Sequence, residues 1–326
     1  MVWLVTGAAG FIGFHTARAL LQRGDRVIGV DNLNDYYDPQ LKHDRLAILS
    51  AEANFEFAEL DLADLDGLQR VVAGKGVRKV IHLAAQAGVR HSIENPHAYA
   101  QSNLVGHLNV LELCRHLDGL EHLSYASSSS VYGGNTKLPF SETDAVDQPI
   151  SLYAATKKSD ELMSQAYAHL YRMPTTGFRF FTVYGPWGRP DMAMWLFAEA
   201  IHAGKPITVF NNGDMQRDFT FIDDIVAGLI AASDSPPLDD GEAAPHRIYN
   251  IGNNKPERLM DMVAQLEAAM GKAAVIEMAP MQAGDVAATY ADISAISRDH
   301  GFVPSTSLQD GVAAFVDWFK RYKKIN

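Results

Sequence analysis

The stretch that decides the fold is VWLVTGAAGFIG, at residues 2–13. Its first five residues are mostly apolar, as in a buried strand, and a helical pattern follows over residues 12–23. Gly7, Gly10 and Gly13 stand where the two meet. A glycine turn between a strand and a helix gives a dinucleotide pyrophosphate close access to the backbone and to the helix N-terminus. The stretch therefore predicts a dinucleotide-binding turn, although the spacing is G-x-x-G-x-x-G, and a merely flexible turn is the alternative.

The first half of the chain alternates strand-like and helical patterns. Strands are predicted at 2–6, 26–30, 55–59, 79–83, 122–127 and 175–181, and helices at 12–23, from about 65, 97–117 and 153–171. Near-continuous apolar strands in this order predict a parallel sheet with helices on both faces. The predicted fold class is α/β, a Rossmann-type doubly wound parallel sheet.

The pattern changes after residue 184, where Pro, Gly and Trp cluster at 185–190. Beyond it we expect helices at 193–203, 223–232, 258–270 and 310–323, and short strands at 207–210 and 218–221. We predict a nucleotide-binding domain of residues 1–184 with returning segments at about 218–252. The segments 185–217 and 253–326 are predicted to form most of a smaller C-terminal α/β lobe that binds the substrate.

Composition and charge restrict the possible partners. The 326 residues are 47% hydrophobic and 21% charged, as in ordinary soluble proteins. A formal net charge of -11 argues against nucleic acid and anionic membranes as partners, and no apolar run approaches the roughly 18 residues of a membrane span. The chain starts directly with a strand-like run, which leaves no room for a signal peptide, and Cys114 is its one cysteine. We therefore expect a cytoplasmic protein without an internal disulfide, and no residues are assigned to a metal.

The strand at 26–30 leads directly into Asp31, which is placed to accept hydrogen bonds from the ribose hydroxyls of a bound adenosine. The next residues, Asn32, Leu33 and Asn34, include no arginine for a 2′-phosphate, which favours NAD over NADP. Asp61 and Leu62 follow the strand at 55–59 and are candidates to border the adenine. A helix cap is the alternative role for Asp61.

Four serines, at 127–130, end the strand at 122–127, where their hydroxyls can hydrogen-bond a reacting alcohol. Tyr153 and Lys157 follow in the next helix, and four-residue spacing puts them on one face, one turn apart. A nearby ammonium favours the ionised phenol, so Tyr153 can act as a base. Together with the glycine turn, these residues predict a redox enzyme whose base is a tyrosine.

On these residues the chain resembles the extended short-chain dehydrogenase/reductase family, and within it the nucleotide-sugar 4-epimerases. The resemblance covers essentially the whole chain, and the matching segments are TGAAGFIG (6–13), DNLNDYY (31–37), HLAAQAGVR (82–90), SSSSVYG (127–133), YAATK (153–157), VYGPWGRPDMA (183–193) and RDFTFIDD (217–224). DNLNDYYDPQLK, HLAAQAGVR, SLYAATK and GRPDMA are most similar to UDP-glucuronate 4-epimerases.

The resemblance implies a UDP-sugar substrate and an NAD that stays tightly bound and is regenerated in each cycle. It implies Tyr153 as acid and base, Lys157 on the nicotinamide ribose, and Ser128 as the catalytic serine, with Ser127 and Ser129 as alternatives. The implied cofactor contacts are Gly7, Gly10, Phe11, Ile12, Gly13, Asp31, Asn32, Asp61, Leu62, Leu83, Ala84, Ala85, Asn103, Tyr153 and Lys157. The implied substrate contacts are Arg90, Ser128, Ser129, Ser130, Thr182, Arg189, Phe210, Arg217 and Asp285. Arg217 would grip the diphosphate, Asp285 the uridine ribose and Phe210 the uracil, although a core role suits Phe210 nearly as well.

Departures from related families narrow the reaction. Related 4,6-dehydratases carry Asp-Glu where this chain has Ser129 and Ser130, so the acid and base for that elimination are missing. UDP-galactose 4-epimerases carry an asparagine at the position of Thr182, and many have an arginine near Gln282, which puts a direct transfer of their diphosphate contacts in doubt. The hydroxyl of Thr182 and the guanidinium of Arg189 could instead face a sugar carboxylate.

The predicted reaction is the interconversion of UDP-glucuronate and UDP-galacturonate, by oxidation at C4, rotation of the ketone and reduction on its other face. A UDP-glucuronate decarboxylase, a UDP-galactose or UDP-N-acetylhexosamine 4-epimerase, and a dinucleotide sensor without catalysis are the alternatives. The helices at 97–117 and 153–171 carry apolar residues beyond one face. In the family that the chain resembles, two such helices per subunit form a four-helix interface, so we expect a homodimer, with a monomer as the alternative.

Overall fold

The computed structural model of the protein describes residues 1–282 and 286–325. Its strands are β1 (Val2–Thr6), β2 (Arg26–Asp31), β3 (Phe55–Glu59), β4 (Lys79–His82), β5 (His122–Ser128), β6 (Thr175–Phe180), β7 (Thr182–Tyr184), β8 (Pro206–Val209), β9 (Gln216–Phe221), β10 (His246–Ile251), β11 (Pro256–Arg258) and β12 (Val275–Met278). Seven of them form the central sheet, in the order β10-β6-β5-β4-β1-β2-β3, with every neighbouring pair parallel. The predicted doubly wound parallel sheet is confirmed.

Helices cover both faces of this sheet. They are α1 (Phe11–Gln22), α2 (Gln40–Leu49), α3 (Leu65–Val72), α4 (His91–Glu94), α5 (Pro96–Tyr99), α6 (Gly106–Arg115), α7 (Leu152–Tyr171), α8 (Ala193–Ala203), α9 (Ile222–Asp234), α10 (Leu259–Met270), α11 (Ser294–His300) and α12 (Leu308–Lys323). On one face α1 packs against α9, and their apolar side chains continue into the core of the C-terminal lobe. On the other face α3, α6 and α7 enclose a second, smaller core.

Several elements differ from the sequence-based expectation, and α4, α11, β7, β11 and β12 are among those that were not predicted. The helix expected over 97–117 is interrupted, because residues Ala100–Val105 form a π-helical turn between α5 and α6. The helix α2 was not predicted, since its ten residues carry only three buried leucines. The strand β10 was not predicted either, and it is the edge strand of the central sheet.

The C-terminal lobe has two small sheets of its own. One joins β7, β9 and β11, and the other joins β8 and β12. Within the segment expected to return to the nucleotide domain, at about 218–252, β9 lies in the first small sheet and β10 in the central sheet. Trp195 and Trp318 pack at 5.3 Å between ring centroids and help to hold α8 against α12. Among the residues that the structure describes, no helix is long and apolar enough to cross a membrane.

Local signals place α7 at the carboxyl edge of the central sheet. The hydroxyl of Ser151 accepts a hydrogen bond from the backbone N–H of Ala154 at 3.1 Å, which caps the helix. Because the helix begins at Leu152, its first two turns carry Tyr153 and Lys157. Both side chains thus lie beside the end of β5.

Arg45, on α2, ties the glycine turn to the C-terminal lobe. Its side chain is fully buried, and Nη1 donates to the carbonyl of Ala9 at 2.8 Å. Nη2 donates to the carbonyls of Trp187 at 2.6 Å and Gly188 at 3.2 Å. One guanidinium therefore satisfies three backbone carbonyls in two segments that are far apart in sequence.

We expect Arg45→Met to lower the free energy of unfolding by about 3 kcal/mol, because the buried carbonyls lose their donor. Urea denaturation followed by circular dichroism measures the change. The matched control is Arg70→Met, at an exposed arginine whose ion pair with Asp64 spans 3.7 Å, and it should change stability by less than about 1 kcal/mol. Equal effects of the two substitutions would contradict this role of Arg45.

Candidate active site

A cleft of about 450 Å³ opens at the carboxyl ends of the central strands and extends to the C-terminal lobe. Ligand sites of doubly wound sheets lie at this edge. Twenty-one of the residues singled out from the sequence line the cleft: Gly7, Gly10, Phe11, Ile12, Gly13, Asp31, Asn32, Asp61, Leu62, Leu83, Ala84, Ala85, Ser127, Ser128, Ser129, Ser130, Tyr153, Lys157, Thr182, Arg189 and Arg217.

The glycine turn has no room for side chains. A Cβ on Gly13 would lie 2.0 Å from the carbonyl oxygen of Gly7, and a Cβ on Gly7 would lie 2.7 Å from the backbone nitrogen of Ala84. Gly7 also has a φ of 72°, in the left-handed region. The turn leads directly into α1, whose N-cap is Gly10. The backbone amides at this helix N-terminus therefore face the cleft without a side chain in front of them, which suits a pyrophosphate.

Asp31 ends β2 with its carboxylate buried beside this turn. Its oxygens accept from the N–H of Ala9 at 3.1 Å and of Leu33 at 2.9 Å. Burial raises the pKa of Asp31 above its ordinary value. Lys42 also lines the cleft, and its Nζ donates to the backbone carbonyl of Asn34 at 2.7 Å. Lys42 was not singled out from the sequence, because it lies eleven positions after Asp31 along the chain.

Asp61 lies on the same side of the cleft. Its Oδ2 accepts from the side chain of Asn32 at 2.9 Å, and its Oδ1 accepts from the N–H of Ala63. The helix cap that was considered for Asp61 belongs to Asp64, which accepts from the N–H of Gly67 at 2.8 Å. Asp61 therefore remains a candidate to border the adenine.

Asn103 does not line the cleft. It is buried, and its Oδ1 accepts from the N–H of Gln86 at 2.8 Å. Its Nδ2 donates to the carbonyl of Gln86 and, at 3.0 Å, to the hydroxyl of Thr156. Asn103 thus fixes the loop after β4 to α7. Asn103 belongs to the π-helical turn Ala100–Val105, and such turns are frequent at functional sites.

Tyr153 is half-buried, and its ring lies edge-on to Tyr99 at 6.1 Å between centroids. Lys157 is buried, and its Nζ donates to the carbonyl of Ala126 at 3.0 Å and to Asp160 Oδ2 at 3.0 Å. Both Tyr153 and Lys157 line the cleft on the face of α7 that the spacing predicted. Asp160 was not singled out in the sequence analysis, although it stands one helical turn after Lys157.

The four serines separate into two environments. The hydroxyl of Ser127 donates to Glu161 Oε1 at 2.7 Å inside the protein, so it is occupied by a structural contact. The hydroxyl oxygen of Ser128 accepts from the N–H of Ser130 at 3.2 Å, and its own hydrogen remains available to the cleft. The geometry therefore favours Ser128 over Ser127 as the partner of Tyr153, and it leaves Ser129 beside them.

Arg189, one of the expected substrate contacts, is paired with the carboxylate of Asp191. Its Nε donates to Asp191 Oδ1 at 3.0 Å, and Tyr36 donates to Asp191 Oδ2 at 3.0 Å. Burial favours the neutral guanidine, yet the nearby Asp191 carboxylate raises the pKa of Arg189 overall. Arg189 is therefore charged, and Thr182 lines the same cleft. Tyr36 was not singled out from the sequence.

Of the remaining expected substrate contacts, Arg217 lines the cleft, and Arg90 and Phe210 do not. Arg217 Nη1 donates to the backbone carbonyls of Gln216 at 2.9 Å and Ala287 at 3.2 Å, at the end of the cleft formed by the C-terminal lobe. Arg90 and Phe210 do not line the cleft; they stack on each other, with the guanidinium carbon 5.9 Å from the ring centroid. Asp285 lies outside the described residues.

Comparison with known proteins agrees with this geometry. The profile of the NAD dependent epimerase/dehydratase family matches residues 3–252. The probable UDP-glucuronate 4-epimerase of Rhizobium meliloti is 48% identical over 331 residues, which cover 98% of this chain and 97% of the other. UDP-glucuronate 4-epimerase 4 of Arabidopsis thaliana is 48% identical over 329 residues, 98% of this chain and 75% of the other.

A solved structure extends the likeness to three dimensions. The UDP-glucuronic acid 4-epimerase from Bacillus cereus, in complex with UDP-glucuronic acid and NAD, has a TM-score of 0.89 and is 34% identical. The likeness covers 99% of this chain and 100% of that one. The family's cofactor is NAD, and the side-chain-free glycine turn and the carboxylate of Asp31 fit its pyrophosphate and ribose. By sequence and by structure, the chain belongs to the NAD dependent epimerase/dehydratase family.

Proposed function

We propose that the protein interconverts UDP-glucuronate and UDP-galacturonate by NAD-dependent oxidation and reduction at C4 of the sugar. The observation that carries the proposal is that Tyr153, Lys157 and Ser128 line the same cleft as Thr182 and Arg189. The first three suit the oxidation of an alcohol, and the last two suit a carboxylated sugar. Relatives that match over nearly the whole chain are named UDP-glucuronate 4-epimerases, which supports the same substrate.

The glycine turn would hold the pyrophosphate, Asp31 the adenosine ribose, and Tyr153 with Lys157 the nicotinamide ribose. When bound, NAD supplies the hydride acceptor for the oxidation and the hydride donor for the reduction. The strand ends and the first turns of α7 bring these contacts to the same cleft. Other residues of the cleft would bind the sugar, and Tyr153 would also move its proton.

Tyr153 takes the proton of the sugar 4-hydroxyl in the oxidation and returns it in the reduction. Lys157 stands one turn away on the same face of α7, and its ammonium lines the same cleft. The hydroxyl of Ser128 orients the sugar oxygen by a hydrogen bond. General acid–base catalysis of this kind contributes about 10²–10⁴ in rate. Between the two steps, the 4-ketone turns so that its other face is reduced.

The carboxylate at C5 makes the ketone a β-keto acid, which loses CO₂ readily. An epimerase must therefore hold this carboxylate in an orientation that does not favour the loss. We assign that task to Ser129, Ser130, Thr182 and Arg189. All four line the cleft, and the charge of Arg189 allows a bidentate contact with a carboxylate.

Incubation of the purified protein with UDP-glucuronate, without added NAD, should give UDP-galacturonate as seen by NMR of the sugar products. We expect Tyr153→Phe to lower kcat by at least about 100-fold, because the ring keeps its place and loses its proton acceptor. The matched control is Tyr249→Phe, which removes a hydroxyl that binds Asp299 away from the cleft. Full activity of Tyr153→Phe, or a UDP-pentose as the main product of the unaltered protein, would contradict the proposal.

We expect Arg189→Ala and Thr182→Ala each to lower turnover about 10-fold or more and to raise the fraction of decarboxylated product. The reason is that the carboxylate loses a hydrogen-bond partner and turns more freely. NMR of the product mixture measures both quantities. Arg247→Ala, at an exposed arginine on β10, is the control. If turnover and product ratio stayed unchanged in both variants, neither residue would hold the carboxylate.

We also propose that two copies associate through α6, α7 and the π-helical turn before α6. Val105, Leu108, Leu152, Leu162 and Leu170 expose their apolar side chains on these elements, and Leu162 and Leu170 are 59% and 66% exposed. An apolar surface shared by two neighbouring helices is typical of a subunit interface. Two helices from each copy would form a four-helix arrangement.

We expect the unaltered protein to be a dimer in size-exclusion chromatography with light scattering. Charges at a buried interface are costly, so Leu162→Glu combined with Leu170→Glu should give a monomer. Leu238→Glu is the control, because Leu238 is 91% exposed on a loop. A monomer of the unaltered protein at micromolar concentration would contradict the interface.

A further inference from the structure

Lys157 has a buried carboxylate partner that has no part in the steps above. The side chain of Asp160 is fully buried, and its Oδ2 lies 3.0 Å from Lys157 Nζ. Its other oxygen, Oδ1, has no hydrogen-bond partner among the described residues. A buried carboxylate with one unsatisfied oxygen is unfavourable for stability, which points to a role beyond packing.

We propose that Asp160 is a positioning residue that acts through Lys157, by keeping the ammonium protonated and turned towards the cleft. The inference rests on the proposed function, since it concerns the lysine that assists Tyr153. It assigns Asp160 no contact with the substrate.

The hydrogen bonds of the Lys157 ammonium support the proposal that Asp160 turns it towards the cleft. Nζ carries three N–H donors. One is directed to the carbonyl of Ala126 at 3.0 Å and one to Asp160 Oδ2 at 3.0 Å. With two directions occupied by the protein, the tetrahedral ammonium points its third N–H in one direction, and Lys157 lines the cleft. The flexible lysine side chain is thereby held at its charged end.

The charges around Lys157 and Asp160 support the proposal that Asp160 keeps the ammonium protonated. The side chain of Lys157 is 3% exposed, and a buried charge is costly unless an opposite charge lies beside it. Two histidines lie close to it, His82 on β4 and His107 on α6. Burial lowers the pKa of His82 to about 3 and that of His107 well below its ordinary value, so both rings are neutral.

The other titratable groups beside Asp160 are either neutral or paired with another residue, so Asp160 is the anion that pairs with Lys157. Tyr125 on β5 is neutral, because burial raises its pKa well above 10. Glu161, the next residue on α7, is paired with Arg179 of β6. Burial raises the pKa of Asp160 to about 6, and Lys157 opposes that rise, so the carboxylate is ionised at neutral pH.

The test compares two neighbouring buried carboxylates. Asp160→Asn removes the charge and keeps the shape, and Glu161→Gln does the same one residue further along α7. We expect Asp160→Asn to lower kcat about 10-fold, to change KM less than about 3-fold, and to move the alkaline limb of the kcat profile down by at least about one pH unit. The reason is that a buried lysine without its anion loses its proton more readily. Glu161→Gln should lower the melting temperature and leave that limb in place.

A second measurement needs no substrate. In the NAD-loaded protein with lysine labelled by ¹³C at Cε, the signal of Lys157 is assigned by its loss in Lys157→Met. Its titration midpoint should fall by at least about one pH unit in Asp160→Asn. Asp160→Ser, which leaves room for a water molecule, is the second variant, and the same fall is expected.

An unchanged midpoint in these variants would overturn the inference, as would an unchanged alkaline limb. Absence of turnover of UDP-glucuronate by the unaltered protein would contradict the proposed function instead. The NMR titration would then still decide whether Asp160 keeps Lys157 protonated.

Discussion

Glu161 of α7 and Arg179 of β6 form a buried ion pair, in which Arg179 Nε donates to Glu161 Oε1 at 2.8 Å and Nη2 donates to Oε2 at 2.9 Å. Burial alone would raise the pKa of Glu161, and the guanidinium lowers it below its ordinary value. Breaking such a pair by removing one partner costs about 3–5 kcal/mol. The pair therefore fixes the helix that carries Tyr153 and Lys157 against the sheet.

The same pair organises the end of the neighbouring strands. Ser127, which stands opposite Arg179 in the register of β5 and β6, donates its hydroxyl to Glu161. Arg179 Nη1 donates to the hydroxyl of Tyr132 at 3.0 Å, and Tyr132 donates to Asn250 Oδ1 on β10 at 2.6 Å. The side chains of Ser127 and Tyr132, before and after Ser128, are therefore tied to the buried ion pair, which holds this end of β5 against α7.

The sequence predicted those features that depend on local pattern. The start of α7 was predicted within one residue, because the helical pattern and the spacing of Tyr153 and Lys157 are local features of the sequence. The partner of Ser127 could not be found in this way, because the contact joins residues 34 positions apart. The link between Tyr36 and Asp191 spans 155 positions. Such pairs depend on how the elements pack, and hydrophobic periodicity carries no information about them.

Three cations of the cleft each have a carboxylate nearby. Lys157 is paired with Asp160 and Arg189 with Asp191, and the charge of Asp31 acts on Lys42. In a chain of net charge -11, these acids reduce the positive field that would otherwise attract an anion to the site. A carboxylated substrate at Arg189 must then bind through donors that Asp191 leaves available, or replace Asp191. With the roles proposed for Arg189 and Thr182, selection of an acidic sugar would depend on hydrogen-bond geometry more than on net charge. A compensated guanidinium attracts distant anions weakly and still binds a well-placed carboxylate.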